Sequence, residues 1–156
     1  SCWIFDEAIA CDESFVDQQA TVSGSAVVCG SALVSGKAMI RHTAVIDDHA
    51  IVMAGFVGGH AHVAGNAAIT ASTVTGAWPQ ITDCANVYGD VCGSVLVKGA
   101  AVVLPGVSID NPTQDIFVVE HNRVTVQRNY QRLYGIPQKP ARNQETKRKS
   151  RSEQER

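Results

Sequence analysis

A six-residue spacing of aliphatic residues, a small residue four places after each, and recurrent Gly two places after predict an all-β fold. The chain is expected to be a parallel β-helix, a solenoid of about six coils over residues 1–112. Capping strands at 113–136 and a disordered basic tail at 137–156 complete the expected organisation.

The period is read from Ile4 by steps of six: Ile4, Ala10, Val16, Val22, Val28, Val34, Ile40, Ile46 and Val52. Four places after each stand Ala8, Ser14, Ala20, Ala26, Ala32, Ala38, Ala44, Ala50 and Phe56. A helix would need a spacing near 3.6. The small residue and the next aliphatic are two apart, as in Ala26-Val27-Val28, so on a strand both face inward and Val27 faces out. Gly24, Gly30, Gly36, Gly65 and Gly99 fall between strands, where a tight corner can require positive φ. Three strands and three corners make an 18-residue coil, and such coils stack about 4.8 Å apart. The narrow interior explains Ala beside Val.

One residue is lost after Val52, and the period resumes at Val57, Val63 and Ile69. The next unit, Thr75–Gln80, has the right length but reads Thr-Gly-Ala-Trp-Pro-Gln, with Pro79 at the small inward position. Regular units return at Ile81, and a short slip after Val87-Tyr88-Gly89-Asp90 leads to Val91, Val97, Val103 and Ile109. The stretch Val28-Cys29-Gly30-Ser31 returns as Val91-Cys92-Gly93-Ser94 within this series. Beyond it, Ile116–Glu120 and Arg123–Gln127 read as a hairpin around His121-Asn122 that covers the last coil, with Tyr130–Gly135 continuing the cap. From Pro137 the chain is charged and polar without apolar residues, the composition of a disordered tail.

The six-residue pattern of residues 4–112 resembles the hexapeptide repeat of left-handed parallel β-helix proteins. Val103-Leu104-Pro105-Gly106-Val107-Ser108-Ile109 resembles the closing coil of many hexapeptide acyltransferases. Cys2-Trp3-Ile4-Phe5-Asp6-Glu7 and Asp83-Cys84-Ala85-Asn86-Val87-Tyr88-Gly89 resemble segments of enterobacterial YdcK-like solenoid proteins. The resemblance implies left-handed winding, an exception to the usual crossover rule, and a bacterial homotrimer. It further implies an acyl (acetyl) transferase acting on a small hydroxyl or amine, with acetyl-CoA as co-substrate. In that family further residues precede the Cys-Trp segment and cap the first coil.

Composition narrows the setting. No apolar run approaches the roughly 20 residues of a membrane span, and no stretch resembles a signal peptide. The five Cys (Cys2, Cys11, Cys29, Cys84, Cys92) are odd in number and lack CxxC pairing, so a reducing cytoplasm is expected. Cys11 and Cys29 take equivalent places on adjacent coils, within disulfide reach, but free thiols are the expectation there. Residues 1–136 carry six basic and twelve acidic residues, and residues 137–156 carry seven and three. The basic tail has no aromatic for base stacking and no amphipathic period, so neither nucleic acid nor membrane is the expected partner.

Stacking the units at regular spacing aligns Glu7, Ser25, Thr43, His60, Trp78 and Ser94 as outward neighbours. Two places on, it aligns Ile9, Val27, Val45, His62, Gln80 and Leu96. His60 and His62 are the candidate catalytic residues, since an imidazole can take a proton from an attacking hydroxyl or amine. Trp78 is the candidate wall for a pantetheine arm, and the Gly58 and Gly59 amides are candidate donors to an oxyanion. No metal is expected: His60 and His62 alone leave a ligand set incomplete. With His42 their offsets form no triad of the kind a metal-dependent hydratase needs. Outward Ile9, Val27 and Val45, and on the next face Phe15, Leu33 and Ile51, form apolar stripes that suit a homo-oligomer interface. A non-catalytic oligomeric scaffold or partner-binding solenoid is the alternative to the enzyme.

Overall fold

A computed structural model describes residues 1–128, and every described element is a β-strand. The proposed cap over Tyr130–Gly135 and the tail at 137–156 lie outside the described residues. The chain forms a parallel stacked β-solenoid of about seven turns.

Pairing follows the six-residue period directly. On the first face Trp3–Ile4 pairs in parallel with Thr21–Val22, which pairs with the Met39-Ile40 end of Leu33–Ile40. On the second, Ile9–Ala10, Val27–Val28, Val45–Ile46, His62–Val63, Asn86–Val87 and Val102–Val103 stack in order. On the third, Phe15–Val16 lies under Leu33 and Val34, and these under Ile51 and Val52. Three internal columns result, such as Val28, Ile46, Val63 and Val87, all fully buried. Burying one such side chain contributes about 1.5–3 kcal/mol, and Ala20, Ala26, Ala32 and Ala44 fill the gaps between columns. Ile4 keeps 43% exposure because its rung has a neighbour on one side only.

The two irregularities have different outcomes. The residue lost after Val52 is absorbed at a corner: the register shifts between Val34 and Lys37, and Gly55 stands opposite Ala38 in the small inward column. Between Ile69 and Pro79, however, one whole unit leaves the stack. Val57 pairs with Ile81, 24 positions on, where Val22 pairs with Ile40, 18 positions on. The extruded unit offers Thr75 where an aliphatic residue would be buried. Ser72 closes it instead: its hydroxyl accepts the Val74 and Thr75 amides at 3.2 and 3.3 Å, and its carbonyl accepts the Gly76 amide at 2.9 Å. Pro79 does re-enter at the inward position, where its carbonyl accepts the Phe56 amide.

The repeat ends on a satisfied buried polar residue. Asn111 donates from Nδ2 to the Ser94 and Asp115 carbonyls at 2.7 and 2.8 Å, and its Oδ1 accepts from Thr113. The chain then forms the expected hairpin, with Ile116–Glu120 antiparallel to Arg123–Gln127. Ile116–Glu120 also pairs in parallel with Val95–Lys98, with Val119 buried in the core. It is therefore a further rung, which raises the count from about six to about seven. Arg123–Gln127 extends the sheet as its exposed outer strand.

Corners impose the strictest demand. Gly30 and Gly65 have nearly the same φ (+66° and +67°), and each amide donates to an Asp of the preceding coil. A Cβ on Gly30 would lie 2.8 Å from the Asp48 amide and carbonyl, while one on Gly65 would meet nothing within 4 Å. The coil above Gly65 takes a shortened corner from Val87 to Val91, which leaves that space open. Gly65→Ala should therefore cost only the left-handed penalty of about 1–2 kcal/mol. Gly30→Ala should cost about 1–3 kcal/mol more, through overpacking. Denaturant midpoints of the two variants measure the difference, and equal losses would refute the clash.

Candidate functional site

The corner between the first and second faces carries the candidate residues. Its left-handed position is filled, coil after coil, by Asp6, Gly24, His42, Gly59, Asp83 and Gly99, with φ between 59° and 72°. Polar residue and Gly alternate. Each polar side chain accepts the amide of the Gly above it: Gly24 donates to Asp6 Oδ2 (3.2 Å), Gly59 to His42 Nδ1 (3.1 Å) and Gly99 to Asp83 Oδ2 (2.9 Å). A corner amide that no strand can pair thus gains an acceptor. His42 does here what Asp does on neighbouring coils. Its Nδ1 is an acceptor, which assigns the ring proton to Nε2. The ring edge packs on Phe56, with centroids 6.3 Å apart.

His60 follows Gly59 and is exposed. The Thr43 hydroxyl on the coil below donates to the Gly59 carbonyl at 3.0 Å and also contacts His60 Nδ1. When the hydroxyl proton goes to that carbonyl, His60 donates from Nδ1 and Nε2 keeps its lone pair. His42, Thr43, Phe56, Gly59, His60, Thr82 and Asp83 line a shallow depression of about 440 Å³. It presents one imidazole with a donor nitrogen and one with an acceptor nitrogen.

The other expected members are not gathered there. His62 lies on the second face between Val45 and Asn86, half-buried, with its ring edge against Tyr88 at 6.1 Å. Cys84 and Asn86 take the rung positions next to His60 and His62 that regular spacing assigns to Trp78 and Gln80. The extruded unit displaces every later residue by one side, and Gln80 pairs with Phe56 on the first face. Trp78 lines a separate groove of about 690 Å³ with Gln18, Lys37, Met53 and Gly76.

The glycine amides are not free donors either. Gly58 N–H donates to the Ile81 carbonyl at 2.9 Å and Gly59 N–H to His42. A Cβ on Gly58 would lie 2.6 Å from the outer edge of the Phe56 ring, which would have to shift to admit it. Coil stacking has consumed the proposed oxyanion donors. Thr43 is the residue that inspection of the sequence passes over, although it stands one rung below His60 in the regular stack. The chain matches no family model, no curated protein and no solved structure.

Long-range proton–nitrogen NMR should find neutral His60 as the Nδ1–H form and neutral His42 as the Nε2–H form. Thr43→Val should move His60 toward the Nε2–H form that an unconstrained histidine side chain favours and leave His42 unchanged. An unaltered His60 spectrum would remove Thr43 as its orienting partner.

Proposed function

We propose that this solenoid is a hexapeptide-repeat protein of the YdcK-like kind, wound left-handed, that transfers an acyl group from acetyl-CoA or a related thioester to a small hydroxyl or amine. One observation carries the reading: His60 lines the depression with its Nδ1 against the Thr43 hydroxyl, which also donates to the Gly59 carbonyl, an arrangement in which Nδ1 donates and Nε2 is left to accept a proton. In the reaction His60 Nε2 takes the proton as the substrate oxygen or nitrogen bonds to the thioester carbonyl carbon. The tetrahedral adduct then collapses, the carbon–sulfur bond breaks, and the departing thiolate receives that proton from the imidazolium. Thr43 positions the base. His62, held against Tyr88, is not assigned a step.

Trp78 lies at another corner of the chain, so on this reading it could form the pantetheine wall only from a second copy. The enzyme is then an oligomer, a trimer by the resemblance, in a cytoplasm that keeps its thiols reduced. No described helix is long and apolar enough to cross a membrane.

Acetyl-CoA at about 1 mM, near the upper end of common KM values, should raise the melting temperature of the wild-type protein. With a turned-over acceptor, His60→Ala should lower kcat by about 10²–10⁴, the range for general-base removal. His62→Ala should change it by less than about threefold. Absence of any acetyl-CoA binding at that concentration would remove the enzyme reading.

The outward apolar side chains favour a second reading, a non-catalytic scaffold that packs side by side with itself. Phe15 is 64% and Ile9 53% exposed, on rungs continued by half-buried Leu33, Val27 and Val45. Light scattering should return a mass that is a multiple of the chain, and Phe15→Glu or Ile9→Glu should lower it to one chain. A wild-type protein that is already monomeric would end this reading.

A further inference from the structure

The corner between the second and third faces holds a chemical group that the acyl-transfer reading leaves unused. Cys11, Cys29 and Asp47 stand one above another on successive coils. Their amides donate to Val28, Ile46 and Val63 at 2.9 Å each, which fixes the alignment. Beside Cys11 sits Asp12 in the left-handed conformation, φ 57°. The residue above it is Gly30, which has no side chain, so the Asp12 carboxylate leans over the second coil and accepts the Gly30 amide at 3.2 Å. Both sulfurs and a carboxylate oxygen of Asp12 lie within 4.8 Å of one another.

We propose that Cys11, Asp12 and Cys29 bind one thiophilic divalent cation of the zinc type, with Asp47 of the next coil or water as the fourth ligand. Zinc takes sulfur at about 2.3 Å and carboxylate oxygen at about 2.0–2.2 Å in a tetrahedron. Its ligand atoms then stand about 3.5–4 Å apart, so rotations of short side chains close the observed spacing. Two sulfurs select a soft cation over magnesium or calcium, whose ligands are oxygen. The local charge agrees. Asp12 and Asp47 bring two carboxylates to this corner, and no described Lys or Arg forms an ion pair with either.

Burial, then a hydrogen bond to Asp47 and the charge of Asp47, with smaller effects from Cys11 and Asp12, push the Cys29 thiol up to about 12. Asp47 is held below the usual carboxylate range by the Asp48 amide and the Cys29 thiol, with a smaller contribution from His62. Binding therefore exchanges the thiol protons for the metal.

The test uses the full chain under a non-chelating reductant, so that Cys11 and Cys29 cannot bridge. One equivalent of Co²⁺ should develop the strong visible absorption of a tetrahedral ion and a near-ultraviolet thiolate-to-metal band, and Zn²⁺ should displace it. Cys11→Ser or Cys29→Ser should remove the thiolate band that each sulfur supplies and weaken Zn²⁺ binding by about 100-fold, the upper end for a lost supporting partner. Asp12→Asn should weaken it by about tenfold while its amide oxygen still accepts the Gly30 amide. Cys84→Ser, at a different corner, should bind as the wild type does. Circular dichroism without metal confirms that each variant is folded. A reduced wild-type protein without a thiolate band overturns the proposal, and so does a Cys11→Ser/Cys29→Ser variant with unchanged Zn²⁺ affinity.

Discussion

At the left-handed corners glycine alternates with a residue that has a side chain. A Cβ added at Gly24 would strike the His42 backbone, and one at Gly59 the Asp83 backbone, with separations of 2.8–3.2 Å. The alternation has a second benefit. The residue that keeps its side chain reaches over the Gly above and supplies an acceptor to an amide with no strand partner. Steric exclusion and hydrogen bonding select the same pattern. Corner position in turn sets strand register, which decides whether Val22, Ile40 and Val57 form one column or miss each other.

Much of this was legible in the sequence. The inward columns, the deletion after Val52 and Pro79 at an inward position follow from a period that each coil repeats, and the hairpin at 116–120 and 123–127 from two short apolar runs around His121-Asn122. The corner acceptors were legible too, though less visibly. Asp6, Asp12, His42, Asp48 and Asp83 occupy the position two after the aliphatic residue, where other units carry Gly. Their role comes from contact between coils, and a single unit read alone does not reveal it.

The position of Trp78 was not legible. A unit with Thr in the aliphatic column can be tolerated within the stack or expelled from it. The choice depends on the energy of a loop that Ser72 closes with its own bonds. Similarly, the two Val-Cys-Gly-Ser stretches share residues but not place. Val28 belongs to the second face, and Val91 pairs with Ile69 on the third. One unit describes one side of the coil and carries no label for which side. The candidate site inherits this limit: Thr43 and His60 are neighbours because the one-residue deletion between them is absorbed at a corner, while Trp78 lies in the expelled unit.

The expelled unit also has an architectural meaning. Its removal from the stack adds six positions between Val57 and Ile81, one full side, so inward and outward phase are unchanged on re-entry. A whole hexad can thus bulge as an appendage while the aliphatic columns continue, just as shorter changes are absorbed at corners. The segment around Gly76 is, in that sense, a natural socket. A Cβ on Gly76 would meet nothing within 4 Å, so the tip has room to change, while Ser72 and Pro79 hold the base of the segment to the stack.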